Sequence, residues 1–234
     1  MSDDFKTTRW SLVLAAADRD PEGDRALGWL CEAYWFPLYA FLRRRGHDAE
    51  IARDLVQAFF LRVLEKDYLR GLDPAAGKFR AFLLASIKHF VANELARSRA
   101  DKRRADNPSF TDQLDHAEEL YLREAAPDLN AEELYEKRWA TTVLLRATDR
   151  LEQEYRRSGR GDLFDRLHGF LTGGPEISYA TVAQELGMKE GAIKTAVHRL
   201  RQRLGRVLRE EVAQTIADPQ QVDEEIRYLL RVVG

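Results

Sequence analysis

One cysteine, Cys31, stands in 234 residues, so neither an internal disulfide nor a cysteine-built metal cage is open to this chain. Cys31 lies in an aromatic stretch, Trp29-Leu30-Cys31-Glu32-Ala33-Tyr34-Trp35, where a buried and inert thiol is expected. No apolar run approaches the roughly 20 residues that cross a bilayer. The N-terminus, Met1-Ser2-Asp3-Asp4-Phe5-Lys6, has acids where an export signal has bases and then an apolar stretch. A cytoplasmic location without membrane insertion is the expectation. A phosphate-cradling glycine loop, a nucleophile elbow and a zinc-protease histidine pair are all missing. No catalytic residue and no cofactor is expected, and the chain does not read as an enzyme. His47 beside Asp48 and Glu50, and His116 beside Glu118 and Glu119, come nearest to a metal-ligand cluster. Charged residues beside a histidine in helical or connecting sequence are solvated as a rule, so no metal site is expected either.

What is present is charge, in quantity and unevenly placed. The formal net charge is only −2, which conceals three blocks of opposite sign. Between Lys78 and Arg104, the bases Lys78, Arg80, Lys88, Arg97, Arg99, Lys102, Arg103 and Arg104 face only Glu94 and Asp101. Between Lys189 and Arg209, seven bases face only Glu190. Each block is about six charges positive. From Asp106 to Glu136 the balance reverses, with ten acids against Arg123. Two basic blocks flanking an acidic connector give the local attraction that phosphate binding needs, which a whole-chain charge hides.

Nothing alternates with period two, and nearly every long segment shows helical spacing, so an all-α fold of two helical modules joined by an acidic linker is predicted. The first long helix carries Leu27, Leu30, Cys31, Tyr34, Trp35, Leu38, Phe41 and Leu42 on one stripe and stops at Gly46. Pro37 falls inside it and predicts a kink or break. The next helix starts near Asp48 as its cap and is expected to bury Ile51, Leu55, Phe59 and Val63, leaving Asp54, Gln57, Ala58 and Leu61 on the neighbouring face. After the loop Gly71–Gly77, a third helix from about Lys78 to Ser98 has Phe79, Phe82, Leu83, Ile87, Phe90 and Leu95 as its core stripe. The acidic stretch beyond it reads as a linker, partly helical at best. A second helical unit opens near Ala131 with Leu134, Trp139, Val143, Leu144 and Leu151. Turns follow at Ser158–Gly161 and Thr172–Pro175.

The segment Ser178–Arg201 has the logic of a helix-turn-helix. Val182, Ala183 and Leu186 pack one short helix, Gly187 supplies the turn, and Ile193, Val197 and Leu200 pack the second helix against it. The outward face of that second helix shows Lys194, Thr195, His198, Arg199, Gln202 and Arg203, residue types that bond phosphates and base edges in a major groove.

The run Ile177-Ser178-Tyr179, Val182-Ala183, Leu186-Gly187, Ile193-Lys194-Thr195 and His198-Arg199-Leu200-Arg201 resembles the carboxy-terminal promoter-binding module of sigma factors of the extracytoplasmic-function type. Asp54-Leu55-Val56-Gln57-Ala58-Phe59-Phe60 resembles the helix with which such factors grip the polymerase clamp. Phe79-Arg80-Ala81-Phe82-Leu83-Leu84, with Lys88-His89 and Ala92-Asn93-Glu94, resembles their promoter-melting helix. The likeness covers about residues 7–104 and 132–210, in the family's order.

The resemblance implies a factor that binds core RNA polymerase, recognises and melts promoter DNA and starts transcription. It divides the chain into a region 2-like domain at 7–104, an acidic linker at 105–131, a region 4-like helix-turn-helix domain at 132–212 and a C-terminal helical extension at 213–234. Asp54, Gln57 and Leu61 would meet the polymerase. Lys78, Arg80, Lys88, His89, Asn93, Arg97 and Arg99 would hold the minus-ten element. Lys194, Thr195, His198, Arg199, Arg201 and Arg203 would share phosphate anchoring and base reading at the minus-thirty-five element. Phe79 and Phe82 are either base-stacking or core, with core favoured by their spacing beside Leu83 and Ile87. The acidic linker either threads a basic polymerase channel or is a solvated spacer.

Ala58 stands where the family often has glutamate, and Ala196 where a base is frequent. The extension, with Val222, Ile226, Leu229, Leu230 and Val232 as an amphipathic stripe, would pack on the carboxy-terminal module or bind a partner. Control by an anti-sigma factor or by a serine/threonine kinase is open to such a factor, and the residues do not choose. The competing reading is a helix-turn-helix transcriptional regulator that touches DNA through its C-terminal unit and needs no polymerase.

Overall fold

The computed structural model describes residues 21–65, 78–100, 114–123, 126–172, 178–214, 216 and 218–234. The expected loop at Gly71–Gly77, the bases Lys102, Arg103 and Arg104, and Ile177 lie outside the described residues. Among the described residues all regular structure is helical and there is no strand. Two compact units form: residues 1–142 together with 213–234, and residues 143–212.

The first unit is built on α1 (Pro21–Arg44), α2 (Ala49–Glu65) and α3 (Phe79–Ala100), which pack on one another. Helix α1 runs through Pro37 without a break. The backbone bond that proline removes is outweighed by Leu30, Ala33, Tyr34, Leu38, Phe41 and Leu42, buried on both sides of it. The helix ends at Gly46, whose φ of +91° suits glycine alone. There the amide of His47 donates to the carbonyl of Leu42 at 3.2 Å and closes the last turn.

The Asp48 carboxylate accepts from the Ile51 amide at 2.8 Å and caps α2 as expected. The buried stripe of α2 is Ala52, Val56, Phe59, Phe60 and Val63. It is turned from the expected one, so that Ile51 is 49% exposed. Both stripes have helical spacing, but this one buries two phenylalanines where the other buries one, and the larger apolar area takes the interior. Phe59 then packs on Phe90 of α3 at 5.7 Å between ring centres. Phe79, Leu83, Ile87, Phe90 and Val91 are the core side chains of α3, and Phe82 is half-buried against Phe79.

Within the acidic connector α4 (Leu114–Arg123) forms. It is fastened by Glu118, whose carboxylate accepts from Arg43 Nε at 2.9 Å and from the Tyr39 hydroxyl. The hydrogen bonds from Arg43, more than the one from Tyr39, hold the Glu118 carboxyl below its ordinary range. Helix α5 (Ala131–Arg157) opens on a reciprocal cap: Glu133 N donates to Asn130 Oδ1 and Asn130 N to Glu133 Oε2, both at 2.9 Å. The division between units falls inside this helix, after Thr142. Its first half puts Leu134, Tyr135 and Trp139 into the first unit's core. The last helix, α10 (Val222–Val233), also belongs to the first unit and buries Val222, Glu225 and Leu229. The sequence placed it on the carboxy-terminal module or on a partner.

The second unit holds the rest of α5, α6 (Gly161–Leu167), α7 (Gly169–Thr172), α8 (Tyr179–Glu185) and most of α9 (Glu190–Ala213). Leu151, Tyr155, Phe164, Leu167, Val182, Ala183, Ile193, Val197 and Leu200 form its core.

Candidate nucleic-acid interface

In the second unit, Ser178 caps α8 by accepting from the Thr181 amide at 3.0 Å. Gly187, at φ +63°, turns the chain, and the Met188 amide donates to the carbonyl of Ala183 at 2.9 Å. Val182 and Ala183 of α8 meet Ile193, Val197 and Leu200 of α9 inside, so the spacing of α9 forces the residues between them outward.

Those outward residues divide by what already holds them. Arg203 Nε donates to Glu154 Oε2 at 2.7 Å, and Arg201 Nη2 donates to the Phe170 carbonyl at 2.9 Å, so both fasten α9 within its own unit. That hydrogen bond from Arg203 holds the Glu154 carboxyl below its usual range. Lys194 pairs with Glu190 one turn earlier at 2.7 Å, and the Thr195 hydroxyl donates to the Gly191 carbonyl at 2.9 Å. His198, Arg199 and Gln202 are exposed and have no hydrogen-bond or ion-pair partner among the described residues. They are neighbours on the helix surface, and their donors and acceptors are free for a ligand.

Three of the bases expected to meet DNA, Lys78 just before α3 and Arg80 and Lys88 on it, are engaged by acids of the same unit. Arg80 is 7% exposed and Glu225 1%. Arg80 Nε donates to Glu225 Oε1 at 2.7 Å and its Nη1 donates to Glu136. Its guanidinium lies 4.9 Å from the ring centre of Trp139 and 4.5 Å from that of Tyr228. Lys78 Nζ reaches Glu225 Oε2 at 2.5 Å. Lys88 pairs with Glu132 at 2.8 Å, both side chains half exposed, and draws that carboxyl below its usual range.

Taking a guanidinium out of water costs several kcal/mol unless anions and hydrogen bonds replace the water. Burial works against the Arg80 charge, yet the Glu225 hydrogen bond and the charges of Glu136 and Glu225 outweigh it and raise its pKa. The Glu136 carboxyl is raised as well, because burial lifts it further than Arg80 pulls it down. Two acids share one guanidinium.

His89 and Asn93 are exposed on α3 beside a shallow cleft formed with Phe59, Arg62, Val63, Ser86 and Phe90. The side chains of Arg97 and Arg99 lie outside the described residues. On α2, Asp54 is exposed next to Arg53, its nearest cation at 3.5 Å. Leu61 is 47% exposed, and Gln57 is half-buried. Ile51, Asp54 and Leu61, with half-buried Ala58, follow one face of α2, so the turn of the helix adds Ile51 to the surface that the sequence marked out.

Sequence reasoning missed Glu132, Glu136, Glu225 and Tyr228. Its available signal was the buried stripe of α10, where Val222, Glu225 and Leu229 recur at steps of three and four with an acid in the middle. Among the described residues no group of three or more His, Cys, Asp or Glu is placed to hold a metal ion. Nor is any helix there long and apolar enough to cross a membrane.

A family model described as sigma-70 region 2 matches residues 16–101, the segment that contains α1, α2 and α3. Over that segment the chain is similar to region 2 of sigma-70 factors. Region 2 of such factors binds core RNA polymerase and promoter DNA and takes part in promoter melting, and the family acts in transcription initiation without being enzymes. No curated protein and no solved structure matches the chain.

Proposed function

With a sigma-70 region 2 over residues 16–101 as the premise, we propose that this chain is a sigma factor of the extracytoplasmic-function type, which carries core RNA polymerase to a promoter, opens it and starts transcription. The observation that carries this is the union of that region with a second unit whose α9 presents His198, Arg199 and Gln202 without partners among the described residues. In this reading α8 and α9 are a DNA-binding helix-turn-helix set on the minus-thirty-five element, with these three residues facing the groove. Lys194 and Thr195 flank them. Arg201 and Arg203 hold α9 in place and serve phosphate at most.

The face of α2 with Asp54, Gln57 and Leu61 meets the polymerase clamp, where an exposed carboxylate beside apolar side chains suits a basic surface. Lys78, Arg80, Lys88, His89, Asn93, Arg97 and Arg99 of the α3 segment serve the minus-ten element, backbone by charge and bases by the amides and rings beside them. A pull-down with bacterial core RNA polymerase tests the proposal. The native chain is retained, and Asp54→Ala with Gln57→Ala is retained less. A native chain that ignores polymerase and binds duplex DNA unaided is instead a simple helix-turn-helix regulator.

A further inference from the structure

The bases at the start of α3 cannot serve two sets of anions at once. Arg80 commits Nε to Glu225 and Nη1 to Glu136, and the rings of Trp139 and Tyr228 lie against its guanidinium. Lys78 reaches the second oxygen of Glu225 at 2.5 Å. Farther along the helix, Lys88 is held by Glu132. Every one of these carboxylates comes from outside the segment that matches region 2: Glu132 and Glu136 from the start of α5, Glu225 and the ring of Tyr228 from α10. The residue types are those with which a nucleic-acid strand meets a protein, a line of negative charges and a planar ring.

We propose that α10 and the first turns of α5 occupy the nucleic-acid face of α3 in place of DNA, so that promoter DNA must displace Glu225, Glu136 and Glu132 to reach Lys78, Arg80 and Lys88. The inference rests on the functional reading above, in which those bases serve the minus-ten element. The latch is built to be released. Helix α10 fully buries Val222, Glu225 and Leu229, two of them apolar, a small apolar hold for twelve residues. Its charged interaction is traded against phosphate rather than lost to water, because each base keeps an anion before and after. The acids thus suppress unaided binding of DNA by the N-terminal unit, and promoter binding requires the closed arrangement to open.

The test uses the full chain, native and with Glu225→Gln or Glu132→Gln, titrated against a fluorescein-labelled single-stranded oligodeoxynucleotide by anisotropy, with circular dichroism to confirm the helices and a parallel pull-down with core polymerase. Glu225→Gln is expected to bind about tenfold tighter than the native chain if about a tenth of the native molecules are open and the variant is open throughout. Its salt dependence steepens by about 0.7 for each further phosphate that the freed bases neutralise. Glu132→Gln changes a half-exposed pair between α3 and α5, so it keeps the fold and is expected to bind about twofold tighter by the same population argument. It decides the matter if Glu225→Gln loses helicity. Folded variants that bind the oligonucleotide no tighter than the native chain overturn the inference, while retention of the native chain by polymerase leaves the functional reading standing. Loss of that retention removes the functional reading, and is read in a different assay.

Discussion

Arg80 shows how one side chain can serve folding where its type suggests binding. A sequence presents it as one base among eight in a positive block, but the chain buries it with two carboxylates and two aromatic rings. Its own carbonyl accepts from the buried Tyr135 hydroxyl at 2.9 Å, so backbone and side chain are both committed. Arg80→Ala strands Glu225 and Glu136 without their cation and is expected to cost about 3–5 kcal/mol of the first unit's stability, read from urea unfolding. Arg80→Lys keeps the charge but loses the planar fork that meets two acids at once, and is expected to recover only part of that. Unfolding midpoints equal to that of the native chain would show that the ion cluster is a bystander. Cys31, expected to be buried, is half-buried; its partial burial, and then the charge of Glu32, push its thiol up to about 11, so it is a poor nucleophile at neutral pH.

At the scale of elements, local signals are legible in the sequence and partnerships are not. Asp48 and Ser178 each cap the helix that follows, and Gly46 and Gly187 turn the chain at positive φ, because caps and turns are decided within a few residues. The stripe of α2 lies about one position from the expected one, since two helical stripes overlap and only tertiary packing, with Phe60 inside, separates them. The cluster on Arg80 is illegible because its hydrogen bond to Glu225 joins residues 145 apart in sequence. On the proposed reading, helix α9 has the most sharply defined DNA face. His198→Ala and Arg199→Ala are each expected to weaken binding to duplex promoter DNA by about 1–3 kcal/mol while leaving the melting temperature of the protein where it was. Arg203→Ala should do the reverse in part, lowering the melting temperature through its lost bond to Glu154. Isothermal titration and thermal melts on the three variants separate readers of DNA from fasteners of the helix, and a uniform loss of stability in all three would defeat the assignment.

The molecule as a whole explains its near-neutral charge. Its basic blocks and its acids are segregated along the chain, and folding brings part of the connector's and extension's acid onto α3, whereas α9 keeps exposed residues without partners among the described ones. The extension therefore belongs to the unit at the other end of the sequence, and the grouping of residues 213–234 with 1–142 makes a prediction about cooperativity. Removing residues 213–234 is expected to speed amide hydrogen exchange in α1 and α3 several-fold while the protection of α8 stays unchanged. Equal acceleration in both units, or none in α1 and α3, would show that the extension is not part of the first unit's core. The indole of Trp139, 1% exposed beneath the Arg80 guanidinium, gives the same arrangement an optical side. Indole emission follows the polarity and charge around the ring, and departure of α10 would take the phenol of Tyr228 away and open a buried ring to solvent. With the other tryptophans replaced by phenylalanine, the colour of this chain's own fluorescence would report, in real time and without a label, whether its last helix is seated.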